Sequence, residues 1–202
     1  MKNKILALLL TLVTLPAFAG VDGYLGYSSD YMWRGVSQSS GNAAMQGELK
    51  VSNGGLYGGV WASEVDFGDE ATYEMDLFLG YELMVSDKFS VDVGVIQYNW
   101  DKGYDDVEEM FAKVHLKNVS FSYYVDTEDS DKDFMELQLR LPFVKFMDVW
   151  VDYGMFDEDN DFWALGMSKK LGDNLEARFY MLDDARQDQF MDNASLGLYF
   201  HF

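Results

Sequence analysis

The chain has 202 residues, no cysteine, and 35 acidic against 15 basic side chains, giving a formal net charge of -20 at pH 7. So large an acidic excess argues against nucleic acid as a partner and against docking onto acidic lipid surfaces. Without cysteine there is no disulfide framework and no thiolate chemistry, and the length suits one domain with a substantial buried surface.

At the start, Lys2 and Lys4 precede a short apolar run from Ile5 to Leu15, followed by Pro16 and Ala17-Phe18-Ala19. This is the pattern of a cleaved secretory signal: a positive segment, an apolar segment, then small residues around the cleavage point. Residues 1–19 are therefore expected to direct export through the general secretory pathway and to be removed, leaving 20–202 as a single domain. Loss of the two lysines takes the formal charge from -20 to -22. The run is shorter than the roughly 20 apolar residues a membrane-crossing helix needs. No later stretch is long enough either. An exported chain without helical spans can be an integral membrane protein only as a closed β-barrel.

The mature chain alternates with a period of two again and again. Tyr73, Met75, Leu77, Leu79, Tyr81 and Leu83 alternate with Thr72, Glu74, Asp76, Phe78, Gly80 and Glu82. Further on, Met110–Leu116, Val119–Val125, Met135–Leu141, Met147–Met155 and Leu175–Met181 repeat the pattern, each with one face free of charge. Alternation of this kind is a strand signal. A charge-free face is what lipid demands, because a charge at the bilayer midplane costs a few kcal/mol. Less regular strands are expected at 21–28, 44–52, 56–66, 89–100 and 162–170. In 89–100 the phase changes near Ile96, suggesting a bulge or the membrane edge. In 56–66 both faces are apolar and neither can be assigned to lipid.

The final strand is the most informative. Leu196, Leu198, Phe200 and Phe202 share one face, Ser195, Gly197, Tyr199 and His201 the other, and the chain stops on phenylalanine. A bare apolar strand face invites aggregation in water, whereas in a membrane barrel the last strand closes the sheet and faces lipid. Counting it gives about twelve strands. The expected fold class is all-β, a transmembrane antiparallel up-and-down barrel.

The connections sort by charge. Those at 66–71, 101–106, 127–133, 157–161 and 183–192 are acidic. Those at 53–55, 86–88, 117–118, 142–145 and 169–174 are short, neutral or basic, and rich in hairpin-turn residues. Strands that cross a membrane place alternate connections on opposite sides. With both termini periplasmic, the acidic set is extracellular. The location expected is the outer membrane of a Gram-negative bacterium, with membrane lipid and lipopolysaccharide as partners. The strand ending at Phe202 would be read by the barrel-assembly machinery.

Metal and catalytic signals are weak. Asp129, Asp131 and Asp133 have the spacing of an EF-hand start, but Phe134 stands where the tight-turn glycine belongs and Arg140 where the bidentate glutamate belongs. A solvated acidic loop is the simpler reading, with weak divalent-cation bridging to lipopolysaccharide at most. His115 and His201 are the only histidines and both fall near short connections, and no Gly-x-Ser-x-Gly elbow is present. No enzyme, cofactor or metal site is expected.

The first long connection, Ser28 to Gly47, is distinctive because it is not acidic. It carries Tyr31, Trp33, Arg34, Gly35, Ser37, Gln38, Gln46 and Gly47, and the chain continues with Gly59-Val60-Trp61-Ala62-Ser63 and Glu74-Met75-Asp76-Leu77. These segments resemble the TorF-like family of proteobacterial outer-membrane porins, with Ala43 where the family pattern has proline. The similarity is strongest from about Gly26 to Tyr81. It implies an outer-membrane pore and names no substrate.

Two functions follow. In one, the barrel is a passive channel for small hydrophilic solutes. The strand phases place Glu48, Lys50, Glu74, Asp76, Glu82, Asp92, Lys113, Glu136, Arg140, Asp148, Asp152, Glu176 and Arg178 in the lumen. Acidic groups outnumber basic ones, favouring cationic or neutral solutes. Tyr31, Trp33, Arg34, Ser37 and Gln38 are the candidate constriction, with Arg34 either reaching a lumen carboxylate or capping its own loop. In the other, inward Phe78, Phe111, Trp150 and Tyr180 plug the lumen, and the protein is a structural or surface-interaction barrel.

Overall fold

The structure is a computed structural model and describes residues 20–129, 132–156, 161–184 and 193–202. Its strands are β1 (Gly20–Ser28), β2 (Met32–Trp33), β3 (Val36–Ser37), β4 (Ala44–Asn53), β5 (Leu56–Glu64), β6 (Tyr73–Ser86) and β7 (Phe89–Trp100). They continue with β8 (Val107–Leu116), β9 (Val119–Asp126), β10 (Phe134–Arg140), β11 (Asp148–Met155), β12 (Asp161–Lys170), β13 (Leu175–Asp184) and β14 (Asn193–His201). Twelve of them close into one antiparallel barrel in the order β1-β14-β13-β12-β11-β10-β9-β8-β7-β6-β5-β4. The other two, β2 and β3, form a separate two-stranded hairpin within the first connection. The expected signal segment lies outside the described residues.

Closure is made by the chain ends. Leu25 lies opposite Phe200 and Tyr27 opposite Leu198 across β1 and β14. The seam extends to the last residue, where the Phe202 amide donates to the Gly23 carbonyl at 3.0 Å and the Gly23 amide donates back at 3.3 Å. Leu196, Leu198, Phe200 and Phe202 point out of the barrel and are more than half exposed, while Ser195 and Tyr199 are buried inside.

Outward residues of the other strands behave alike: Leu25, Leu49, Met75, Leu83, Val93, Met110, Val114, Leu137 and Leu139 are all exposed. A continuous apolar belt of this extent has no place on a water-soluble monomer and matches the lipid face of a barrel. Aromatic residues flank it. Exposed Tyr27, Tyr73, Tyr123 and Trp163 lie toward the long connections, and exposed Tyr81, Phe143, Phe146 and Phe202 toward the short ones. Such girdles mark membrane interfaces.

Inside, bulky rings are accommodated by glycine on the neighbouring strand. Tyr57 lies opposite Gly80, Phe78 opposite Gly59, Phe111 opposite Gly94, and Trp150 opposite Gly166. A Cβ at Gly166 would collide with the Trp150 indole, so only glycine lets that ring lie flat over the sheet.

Two sequence expectations are corrected here. No bulge occurs near Ile96: the β6–β7 register runs unbroken from Met84 to Glu74, and the irregularity lies at the Met84–Ser86 turn. The inward face keeps its phase but becomes aromatic at Tyr98 and Trp100, which stack at 6.4 Å inside the barrel. The strand expected at 44–52 forms as β4, Ala44–Asn53, so the first connection, read as running from Ser28 to Gly47, ends at its start instead.

Candidate functional site

The first connection does not project from the barrel; it folds into the lumen. Its tip is the β2–β3 hairpin, with Met32 opposite Ser37 and Trp33 opposite Val36. The turn is Arg34-Gly35, with φ of 43° and 87°. Positive φ at both central residues is the geometry that lets a two-residue loop follow strand twist. Below the tip the connection is tied to itself and to the barrel. Ser37 and Ser39 hydroxyls donate to Asp30 Oδ1 at 2.6 and 2.8 Å, and the Gln38 amide donates to the Tyr31 carbonyl at 2.7 Å. Ser195 of β14 donates to the Asp30 carbonyl at 2.6 Å, and the Asp66 amide of the next connection donates to the Gln38 carbonyl at 2.8 Å.

Arg34 makes the decisive contact. Its Nη1 and Nη2 each donate to one oxygen of Glu109 on β8, both at 2.6 Å. The pair is a two-pronged fork, and its side chains are only 6% and 5% exposed. Tyr98 donates a further hydrogen bond to Glu109 Oε2 at 2.8 Å. The guanidinium lies 4.4–4.5 Å from the ring centres of Trp33, Tyr124 and Phe134. A delocalised cation suits this setting: its edge meets a carboxylate while its faces meet aromatic rings.

Two apolar clusters surround the connection. Tyr31, Ala44, Val65 and Ala71 pack with Trp33, Trp61, Phe67 and Trp100 on one side. Phe134, Phe162, Ala164 and Leu182 pack with Met32, Tyr124, Phe156 and Tyr180 on the other. Beneath the hairpin, toward the short turns, a cavity of about 590 Å³ remains, lined by Arg34 together with Lys50, Glu82, Asp92, Lys113 and Glu136. A second space of about 240 Å³ lies beside Tyr24, Trp150 and Arg178.

The sequence-assigned residues take varied places. Tyr31 is buried, packs on Trp61 at 5.2 Å between ring centres, and donates to Glu74 Oε2 at 3.3 Å. Trp33 meets Tyr98 edge-on at 5.6 Å. Ser37 holds the base of the hairpin, and the Gln38 side chain donates to the Val36 carbonyl. Glu48, Lys50, Asp76, Glu82, Asp92, Lys113 and Glu136 line the large cavity, and Arg178 the small one. Asp152 is buried and accepts from Trp150 Nε1 at 3.0 Å. Glu176 accepts from Arg178 at 3.1 Å and lies 3.0 Å from His201 Nε2. Arg140 and Asp148 have the inward phase but are exposed at the short-turn mouth. Phe78, Phe111, Trp150 and Tyr180 all point inward, as expected. His115 Nδ1 lies 2.8 Å from Ser120 Oγ. Asp131, of the rejected calcium pattern, lies outside the described residues. Among the described residues no group of three or more histidine or acidic side chains is placed to hold a metal ion.

The sequence reading missed Glu109, the partner of Arg34. Extending the inward phase of Phe111, Lys113 and His115 back by one step reaches it. The three segments that carry the family resemblance meet here: Tyr31 to Arg34 from the hairpin, Trp61 from β5, and Glu74 and Asp76 from β6.

A closed twelve-stranded barrel with an apolar outer belt, aromatic girdles and an infolded first connection is a barrel of the outer-membrane porin type. Residues 19–198 match the profile of a family described as "Bacterial protein of unknown function (Gcw_chp)", and the chain belongs to that family. No curated protein matches the sequence. Among solved structures, a KdgM porin aligns with 9% identity and a TM-score of 0.59, covering 91% of this chain and 99% of that one. KdgM porin in complex with disordered oligogalacturonate aligns with 9% identity and a TM-score of 0.62, at the same coverage. The COG4313 outer-membrane channel from Pseudomonas putida F1 reaches a TM-score of 0.49 at 11% identity, covering 93% of this chain and 96% of that one. At 9% identity the likeness to the two KdgM structures is one of fold.

Proposed function

We propose that this protein is an outer-membrane channel for passive diffusion of small hydrophilic solutes, cationic or neutral, with the first connection as its constriction. The observation that carries the reading is the Arg34–Glu109 fork, which holds a hairpin inside the barrel directly over the cavity. In this reading the long, acidic connections are extracellular and the short turns periplasmic. The TorF-like porin resemblance agrees with it. The acidic excess of the lumen sets the cation preference. Export through the secretory pathway, assembly through the strand ending at Phe202, and contact with lipid and lipopolysaccharide belong to the same proposal. No reaction is assigned to the histidines.

A second reading is favoured by the two apolar clusters: a barrel plugged by its own side chains, serving structure or surface contact. Single-channel recording in a planar bilayer separates the two. The channel reading expects discrete, cation-preferring conductance. Absence of current from barrels that still shift on a denaturing gel after heating would establish the plugged reading instead.

A further inference from the structure

We propose a binding subsite for an organic ammonium ion in the lumen, with Asp76 as its counter-charge and Trp61, Tyr98, Tyr31 and Trp33 as its aromatic walls. The placement follows from register. Asp76 points inward on β6, with Trp61 opposite it on β5 and Tyr98 opposite it on β7. The infolded connection supplies the other two rings, Tyr31 against Trp61 and Trp33 against Tyr98. All five residues line the same cavity.

Pairing in the neighbourhood leaves one carboxyl group over for a cation. Glu109 is matched by Arg34, and Glu74 accepts from Tyr31. Asp76 is only 5% exposed, and its Oδ1 has no hydrogen-bond partner. Among the described residues no basic side chain forms an ion pair with it. A buried carboxylate oxygen left without a donor is costly unless something charged or polar meets it. A small inorganic cation would need several oxygen ligands, and among the described residues no group of three or more acidic or histidine side chains is placed to supply them. An alkylated ammonium needs none: its positive surface is satisfied by aromatic faces, with one carboxylate to balance its charge. The ligand class is therefore a small quaternary or alkylated ammonium compound.

The subsite rests on the channel reading to the extent that solutes must reach the lumen, but binding and conduction are measured separately. Choline titrated by calorimetry into the full-length folded barrel in detergent should bind saturably, whereas its uncharged isostere, with carbon replacing nitrogen, should not. Asp76→Asn keeps the shape and removes the charge, and should weaken choline binding at least about tenfold. Trp61→Leu leaves the charge and should weaken it by about threefold to tenfold. Equal binding of choline and the isostere, or unchanged affinity in both variants, would overturn the subsite. If Asp76→Asn fails to fold, the wild-type comparison of choline with its isostere still decides. A barrel that binds choline without carrying current removes the channel and keeps the subsite. A conducting barrel indifferent to choline does the reverse.

Discussion

The two halves of the lumen are built on different principles. Toward the long connections the interior is packed like a soluble core: Phe134, Phe162 and Leu182 are almost wholly buried, and the Arg34–Glu109 fork is paired within it. Toward the short turns the interior is a charged cavity with Lys50, Glu82 and Asp92 on its walls and Arg140 and Asp148 exposed at its mouth. Barrels of about eight strands are filled by their own side chains, and those of 16–18 leave a channel. With twelve strands this protein does each in one half. The filled half owes its state to a loop, because the hairpin supplies part of both apolar clusters. Closure is thus a property of a few hydrogen bonds rather than of barrel size.

Removing the hairpin should therefore produce the largest effect. Replacing Met32–Ser37 by two glycines leaves the barrel strands intact and takes the cover off the cavity. Conductance should rise severalfold, with the heat-dependent gel shift retained. Unchanged conductance would mean that the strand-borne rings, not the hairpin, set the narrowest point.

Next in size is Arg34→Ala. Breaking a buried pair strands Glu109 as an uncompensated charge, a loss of about 3–5 kcal/mol. This falls on the docking of the hairpin rather than on the barrel ladder. Hydrogen exchange should therefore accelerate in 30–39 while the barrel strands remain protected, and conductance and cation preference should both increase. Arg34→Lys should recover only part of the wild-type behaviour, since an ammonium cannot reproduce the two-pronged contact. Wild-type exchange and selectivity in the Arg34→Ala barrel would take the fork out of the constriction.

The contrast between the halves also explains what the sequence revealed. In strands whose inward residues are polar, such as Glu74-x-Asp76 and Glu136-x-Gln138, alternation assigned both faces correctly. It failed to phase 56–66, because Tyr57 and Trp61 point into the lumen and look as apolar as the outward Leu56 and Val60. The apparent phase change at Ile96 has the same origin. The hairpin was harder to read: Arg34 at positive φ is not the Asn-Gly or Asp-Gly signature of a two-residue turn. Its geometry is held by the Glu109 contact, which lies 75 residues away in the chain. Long-range pairing of this sort has no local period to betray it.

Charges in the open half should behave otherwise. Glu82→Gln or Lys50→Gln removes a group facing a solvent-accessible cavity, so stability should move by no more than about 0.5 kcal/mol. Reversal potentials in a salt gradient should still shift, with Glu82→Gln weakening cation preference and Lys50→Gln strengthening it. A large stability loss from either would show that the cavity half is packed after all.

The smallest effect belongs to the rim, where carboxylates hold loops rather than line the lumen. Asp101 accepts from the Thr72 amide and hydroxyl, both at 2.8 Å, and from the Tyr73 amide at 3.3 Å. The Thr72 amide contact leads the causes that hold its carboxyl below the ordinary value of 3.8. A carboxylate whose folded pKa is depressed stabilises the fold above its ordinary value, and that contribution is lost as pH falls through the lowered one. Thr72 and Tyr73 amides should thus exchange at their intrinsic pH dependence from neutrality to about pH 5, and lose added protection only below about pH 4. Asp101→Asn, keeping one acceptor and losing the charge, should remove that acid-dependent step and leave conductance unchanged. An acid step persisting in Asp101→Asn would assign it to another rim carboxylate, Asp69 being the next to test because it too is held low, first by Tyr104 and then by the Ala71 amide.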